Sequence, residues 1–190
     1  MIAASALTGM VEKIAVKDDL AAYKQLFIHY HSKLTKFSYS ILGNKETAEE
    51  VVSDVFLKIW NNRHTLTNIR NFHLYLYICT KNQTLNSLRS QNRNKSFSLD
   101  DCNTELTSFY FDPEQLMITQ EMYKRIDDSI TNLPPKCRLI FKLIREDGLN
   151  YKEVSQLLQL SVKTIENQMT IALKKIGQSI QFDIKKAILF

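Results

Sequence analysis

The chain contains DGLNYKEVSQLLQLSVKTIENQMTIALKKI, residues Asp147–Ile176, and this stretch predicts two short helices joined by a tight turn. The first helix covers Tyr151–Leu158, where valine and leucine recur at helical spacing. Gln159 and Leu160 make the predicted turn. Ser161 then caps the second helix, because a serine hydroxyl can accept from the free backbone N–H groups of the first turn.

The second helix is predicted to have two distinct faces. Its apolar stripe follows a spacing of four, three and four residues: Ile165, Met169, Ala172 and Ile176. Its opposite face carries short polar and basic residues: Lys163, Thr164, Asn167, Thr170 and Lys174. Such side chains suit phosphates and base edges in a major groove, so the pattern predicts a DNA-binding helix-turn-helix. An ordinary amphipathic helical hairpin with a solvated face is the alternative.

Composition favours a helical protein of one or two small domains. Among 190 residues, 44% are hydrophobic, and only 4 glycines and 3 prolines interrupt the chain. The net charge of +5 permits nucleic-acid binding without establishing it. No apolar run is long enough to span a bilayer, and the N-terminus lacks a basic leader. The three cysteines are widely spaced, which fits a reducing cytoplasm and predicts no metal site.

The N-terminal half begins with two predicted helices. The first runs from Asp18 to about Ile41, with a stripe formed by Leu20, Tyr23, Phe27, Tyr30, Leu34, Phe37 and Ile41. Gly43 ends it and Asn44 caps the second, which runs to about Trp60. The core stripe of the second helix comprises Ala48, Val51, Val52, Val55, Phe56 and Ile59. Its other face holds Glu50, Ser53, Asp54 and Leu57. A leucine among polar residues suggests a partner surface, although single exposed apolar residues are normal.

A polar segment and a third helix follow. Arg63–Asn71 is predicted to be a loop, and Phe72 begins a helix whose first half, FHLYLYIC, is apolar nearly all round. Its second half is basic and amide-rich. Cations neutralise phosphates and aromatic faces stack on unpaired bases, so this helix could bind DNA. Equally, its aromatic residues could be core and its polar end merely solvated.

The residues after this helix predict a linker and a second domain. The linker has a basic start and an acidic middle with no helical period, and Pro113 opens the second domain. A helix over Leu116–Leu133 is broken at Pro134, and another then runs towards Gly148. The expected architecture is all-α, with a first domain at 1–90, a linker at 91–112 and a second domain at 113–190.

Three stretches together resemble bacterial RNA polymerase sigma factors of the extracytoplasmic function (ECF) group. AEEVVSDVFLKIW, Ala48–Trp60, is similar to the core-binding helix of region 2. FHLYLYICTKNQTLNSLR, Phe72–Arg89, is similar to the helix that melts and reads the −10 element. The stretch from Leu133 to Ile176 resembles region 4, which reads the −35 element. The resemblance covers nearly the whole chain.

This resemblance implies specific sites and partners. Core RNA polymerase, through its β′ clamp and β flap, and promoter DNA are the expected partners, with an anti-sigma factor that is often membrane-bound in the family. The core-binding residues would be Glu50, Ser53, Asp54 and Leu57. The −10 residues would be Arg63, Asn71, Tyr75, Lys81, Asn82, Asn86 and Arg89, with the Arg63–Asn71 loop as the pocket for a flipped-out base. The −35 residues would be Ser161, Lys163, Thr164, Asn167, Gln168, Thr170 and Lys174.

Two other classes of function remain as alternatives. A LuxR-like regulator would share the helix-turn-helix, although the helical N-terminal half lacks the βα pattern of a receiver domain. The other class is a helical enzyme or scaffold in which these motifs are incidental. An enzyme would need a catalytic or phosphate-binding motif, and none is present in the sequence. The sequence therefore predicts a cytoplasmic protein that is not an enzyme and needs no cofactor or small-molecule substrate.

Overall fold

The chain divides into two compact units, Met1–Asn103 and Thr104–Phe190. The computed structural model describes the backbone of residues 4–91 and 120–188 and the side chains of residues 5–90 and 124–179. Within those ranges every regular element is helical, which confirms the all-α prediction. The predicted linker at 91–112, the helix start at Pro113 and Cys102 lie outside the described residues. The division between the two units falls within that predicted linker.

The described part of the first unit, residues 4–91, contains four α-helices and one 3₁₀ helix. They are α1 (Ala4–Lys17), α2 (Leu20–Leu42), α3 (Lys45–Asn61), the 3₁₀ helix (Arg63–Asn68) and α4 (Phe72–Gln91). Helix α2 packs against α1, α3 and α4, so it lies at the centre of the unit. It ends as predicted, because Gly43 adopts the left-handed conformation with φ 68°. The side chain of Asn44 accepts from the N–H of Thr47 at 2.9 Å and caps α3.

The predicted stripes match the core closely in α3 and less well in α2. All six residues of the α3 stripe are buried. In α2, Tyr30, Leu34 and Phe37 are buried as expected, but Leu20 is 65% exposed and the prediction for it is wrong. Leu20 is the first residue of the helix and lies beyond the edge of the core. Leu26, which was not in the predicted stripe, is fully buried. The core-facing side of α2 therefore includes Ala22 and Leu26.

Two further segments of the first unit form helices. The N-terminal segment forms α1, which buries Leu7, Val11 and Ile14. The segment from Arg63 was predicted to be a loop but forms the 3₁₀ helix, against which α1 packs. Leu66 is fully buried and anchors this short helix in the core.

Residues 120–188, the part of the second unit that the structure describes, form four α-helices. They are α5 (Gln120–Thr131), α6 (Pro135–Arg145), α7 (Tyr151–Leu158) and α8 (Val162–Ile188). Helix α8 packs against each of the other three. Proline stands at the first position of α6, where no backbone donor is needed. The helix before Gly148 ends earlier than predicted, at Arg145, and Gly148 occupies the following turn with φ 80°.

Candidate nucleic-acid interface

Helices α7 and α8 form the predicted helix-turn-helix. A capping box begins α7: the side chain of Asn150 accepts from the N–H of Glu153 at 3.0 Å, and the Glu153 carboxylate accepts from the N–H of Asn150 at 2.7 Å. Gln159 ends α7 in the left-handed conformation with φ 56°. Ser161 Oγ then accepts from the N–H of Thr164 at 3.0 Å, as its predicted capping role requires.

The two faces of α8 are separated as the sequence pattern predicts. Ile165, Met169 and Ala172 are buried against the rest of the second unit, whereas Ile176, the last residue of the predicted stripe, is half-buried. The −35 residues lie towards solvent: Ser161, Lys163, Asn167, Thr170 and Lys174 are exposed, and Thr164 and Gln168 are half-buried. An exposed row of donors and acceptors beside two lysines can contact base edges and phosphates in one groove.

Two local contacts modify this surface. The ammonium group of Lys163 lies 3.4 Å from the carboxylate of Glu166, so one acid sits among the cations. Behind the surface, Cys137 Sγ of α6 donates to the backbone carbonyl of Gln168 at 3.2 Å. Burial raises the pKa of the Cys137 thiol, which therefore stays protonated and able to donate.

Helix α4 carries most of the predicted −10 residues. Tyr75, Asn82, Asn86 and Arg89 are seven, four and three residues apart, which puts them on one face of the helix. The last three are exposed and Tyr75 is half-buried. Burial raises the pKa of Tyr75 to about 12, so its phenol is neutral at physiological pH. Lys81 lies beside this face, half-buried, and burial lowers its pKa.

The polar half of α4 also contributes to the core, which the sequence pattern did not predict. Thr80 and Thr84 are fully buried. The Thr84 hydroxyl donates to the carbonyl of Thr80 at 2.7 Å and lies 2.9 Å from the hydroxyl of Ser38 in α2. These hydroxyls are satisfied in the interior, so they are unavailable to DNA.

The side chains of two predicted −10 residues before α4, Asn71 and Arg63, make contacts within the first unit. The Asn71 side chain accepts from the N–H of Leu74 at 3.0 Å, as an N-cap does. The Arg63 guanidinium binds the carboxylate of Asp18, and its Nη1 donates to the Trp60 carbonyl at 3.0 Å. It also lies 4.6 Å from the centre of the Trp60 ring, and the Arg63 side chain is only 21% exposed.

The face of α3 predicted to bind polymerase is open to solvent. Glu50, Ser53, Asp54 and Leu57 are all exposed, and Leu57 retains 59% of its surface. Trp60, near the end of the same helix, is half-buried. The Trp60 ring centre lies 4.9 Å from that of Tyr23, so the indole is covered on one side by α2.

One residue that sequence reasoning did not single out connects α3 to α4. The amide of Gln83 in α4 donates to the carboxylate of Asp54 at 3.2 Å, and its oxygen accepts from Lys58 Nζ at 2.5 Å. The three residues form a bridge between the predicted polymerase face and the predicted −10 helix. No local pattern could have identified it, because Gln83 lies 29 residues after Asp54 in the chain.

Other types of site are not found in the described parts of the chain. Among residues 5–90 and 124–179, whose side chains the structure describes, no group of three or more His, Cys, Asp or Glu side chains could hold a metal ion. No helix described there is long and apolar enough to cross a membrane.

Comparisons with known proteins identify both units. Residues 26–94 match the model of Sigma-70 region 2, and residues 123–176 match that of Sigma-70, region 4. The ECF RNA polymerase sigma factor SigW of Bacillus subtilis is 24% identical over 160 residues, covering 80% of this chain and 86% of SigW. The ECF RNA polymerase sigma-E factor of Escherichia coli K12 is 24% identical over 180 residues, covering 90% of this chain and 93% of its own length.

Two solved structures share the fold. One is CnrH in complex with the cytosolic domain of CnrY, with a TM-score of 0.52, 18% identity and coverage of 94% of this chain and 99% of that chain. The other is the sigma factor RpoE in complex with the anti-sigma factor NepR from Bartonella quintana, with a TM-score of 0.53, 17% identity and coverage of 86% and 99%. The two family matches occur in sigma-factor order and together span well over half of the chain, which therefore belongs to the sigma-70 family of RNA polymerase sigma factors, in its ECF group.

Proposed function

We propose that this protein is an ECF-type sigma factor that binds core RNA polymerase, recognises −35 and −10 promoter elements and supports promoter melting. The observation that carries the proposal is the order of the two family matches, region 2 followed by region 4, each on its own compact unit. A LuxR-like regulator does not account for the region 2 match. The domains are proposed to be 1–90 and 113–190, joined by a linker at 91–112.

In this proposal α8 reads the −35 element as duplex DNA. Lys163 and Lys174 would neutralise phosphates, and the amides of Asn167 and Gln168 would contact base edges, since asparagine and glutamine pair well with adenine in the major groove. The hydroxyls of Ser161, Thr164 and Thr170 would add shorter contacts at the same surface. The burial of Ile165, Met169 and Ala172 on the opposite side of α8 supports this assignment.

Helix α4 would bind the −10 element as it opens. Asn82, Asn86 and Arg89 offer an amide-rich and cationic face, and Tyr75 and Lys81 border it. Asn71 and Arg63 would support this surface through their contacts inside the domain. A flipped-out base costs a few kcal/mol to unstack, so contacts on α4 and on the segment before it must offset that cost.

The exposed face of α3 would bind the polymerase clamp. Glu50 and Asp54 supply negative charge, Leu57 supplies an apolar contact, and Ser53 lies between them on the same face. Leu57 would be removed from water when the clamp binds, which would favour association. The β flap would be the second contact on polymerase.

The finer parts of the proposal concern chemistry, place and regulation. The protein would catalyse no covalent step itself, would use no cofactor or small-molecule substrate, and would act in the cytoplasm beside core polymerase. An anti-sigma factor would control it. The similarity in fold to RpoE, which was solved with the anti-sigma factor NepR, supports this partner class.

Run-off transcription with core polymerase from the source organism, on its genomic fragments, tests the proposal. Promoter-specific transcripts are expected only when the protein is added. Leu57→Asp should abolish core binding, because it puts a charge into an apolar contact. Ile28→Asp is the matched control, since Ile28 is equally exposed on α2 and outside the proposed interface. Loss of core binding in both variants, or in neither, would contradict the assignment of α3.

The −35 surface is tested on the same promoters. Lys174→Ala should weaken holoenzyme binding and reduce the dependence of log K on log salt by about 0.9, the effect of one lost phosphate contact. Arg145→Ala removes an equal charge from an exposed position on α6 and should leave both quantities unchanged. An equal effect of the two variants would show that only net charge matters.

A further inference from the structure

Residues at the junction between α1 and α2 contact two successive residues of the 3₁₀ helix, Arg63 and His64. The carboxylate of Asp18 binds the Arg63 guanidinium and lies 4.0 Å from His64 Nε2. On its other side, His64 Nδ1 donates to the backbone carbonyl of Ala15 at 3.0 Å. Together with the buried Leu66, these contacts fix one face of the 3₁₀ helix to the junction.

Asp18 occupies a backbone conformation that favours glycine. Its φ is 52°, which L-residues other than asparagine and aspartate seldom adopt. The turn is required because α1 ends at Lys17 and Asp19 immediately caps α2, accepting from the N–H groups of Ala21 and Ala22 at 2.9 and 3.0 Å. Glycine would meet the backbone requirement better, but it would remove the carboxylate that binds Arg63.

Arg63 is held from a second direction as well. Its Nη1 donates to the Trp60 carbonyl and its guanidinium stacks on the Trp60 ring. The Arg63 guanidinium also holds the pKa of Asp18 below its usual range, so both groups are charged at physiological pH. A planar fork with several donors makes these contacts at once, whereas a lysine ammonium cannot.

We infer that Asp18 and Arg63 are positioning residues that preorganise the segment from Arg63 to Asn71 for selection of the −10 base. The inference rests on the proposed function, in which this segment forms the pocket for the flipped base. A pocket that is already ordered loses less conformational entropy when the base enters. Arg63 therefore acts on DNA through the shape of the segment and makes no phosphate contact of its own.

A purely electrostatic effect and a positioning role predict different changes in DNA binding when Asp18 is replaced. If only electrostatics mattered, removing an acid would strengthen DNA binding at every sequence, because phosphates repel carboxylates. If Asp18 positions the segment, its removal lowers the preference for the correct base. The test therefore compares Asp18→Gly with Glu12→Gln, which removes the same charge from an exposed position on α1.

Hydrogen exchange of the isolated full chain is the first arm of the test. Amides between residues 62 and 71 should exchange about three- to tenfold faster in Asp18→Gly and in Arg63→Lys, because the local opening becomes easier. Helices α3 and α4 should keep their protection in both variants, and Glu12→Gln should match the wild type throughout. Asp18→Asn keeps the size of the side chain and serves if the glycine variant unfolds. Unchanged exchange in this segment would overturn the inference.

The second arm of the test measures transcription by holoenzyme from four promoters that differ only at the flipped −10 base. The ratio of transcription from the best to the worst promoter should fall severalfold in Asp18→Gly and Arg63→Lys, and the double variant should lose no more than either single one. An even gain on all four promoters in Asp18→Gly, or wild-type ratios in Arg63→Lys, would overturn the inference. Failure of the wild type to bind core polymerase would instead refute the proposed function, and the exchange arm would still decide whether the segment is held.

Discussion

Helices α4 and α8 are both proposed to read DNA, but they expose their polar residues in different ways. In α8 a buried apolar stripe faces the second unit and the polar side chains face solvent. In α4 the interior extends into the polar half, where Thr80 and Thr84 are fully buried. Substitutions on the α8 surface should therefore have little effect on stability, whereas α4 combines DNA-contacting and core residues within single turns.

The largest expected effect is destabilisation of the first unit when a buried side chain of α4 is truncated. Tyr77 is fully buried, and Tyr77→Ala should destabilise the first unit by about 3–5 kcal/mol through lost contacts and a cavity. Asn82→Ala, on the exposed face of the same helix, should change stability by less than about 0.5 kcal/mol. Urea unfolding followed by circular dichroism measures both. Similar losses in the two variants would contradict the division of α4 into a core side and a solvent side.

A matched pair of threonine substitutions compares the polar halves of the two helices. Thr84→Val should cost about 1–3 kcal/mol, because the buried Ser38 hydroxyl loses its partner. Thr170→Val on α8 should cost less than about 0.5 kcal/mol, because Thr170 is exposed and its hydroxyl donates to the Glu166 carbonyl of its own helix. Thermal unfolding of the two variants gives the comparison. Equal costs would show that burial does not distinguish the helices.

Caps offer a comparison in which the two units should behave alike. Ser161→Ala in the second unit and Asn44→Ala in the first should each cost about 1 kcal/mol, because each leaves a backbone N–H of the first turn without its acceptor. Replacement by glycine should cost only a few tenths of a kcal/mol at either position. Chemical denaturation measures all four variants. A cost confined to one unit would mean that the caps act through tertiary contacts.

The smallest expected effect on stability concerns the acid on the α8 surface. The ion pair between Lys163 and Glu166 is exposed, so Glu166→Gln should change stability by less than about 0.5 kcal/mol. It should nevertheless tighten binding to −35 duplex, because an acid is removed from a surface that faces phosphates. Binding titrations at two salt concentrations separate the two effects. Unchanged affinity would indicate that Glu166 lies outside the DNA contact.

Sequence periodicity predicted those helices that bury a single face. The α3 stripe is buried throughout, and the α8 stripe is buried at Ile165, Met169 and Ala172 but not at Ile176, because both helices have one apolar side and capping residues at their N-termini. Leu20 was misplaced because periodicity does not locate the edge of the core relative to the start of a helix. Thr80 and Thr84 could not be assigned to the interior, because a buried hydroxyl pair depends on α2, which is distant in sequence.

Long-range polar contacts were beyond the reach of local pattern. Arg63 was predicted to face DNA, but its partner Asp18 lies 45 residues earlier and the pairing follows only from the packing of α1 on the 3₁₀ helix. The helix-turn-helix surface was accessible to sequence reasoning because all of its residues lie within one short segment. The α4 surface could be predicted only in part, since the packing of α4 against α2 and α3 determines which of its residues reach solvent.

The bridge from Asp54 through Gln83 to Lys58 has a thermodynamic consequence. A clamp that bound Asp54 would compete with Gln83 for the same carboxylate and would release a side chain of the −10 helix. Binding of polymerase at α3 and of DNA at α4 would then be linked, and each would change the affinity of the other by the same factor. A single glutamine would thus let two ligands on neighbouring helices influence each other without any change in the fold.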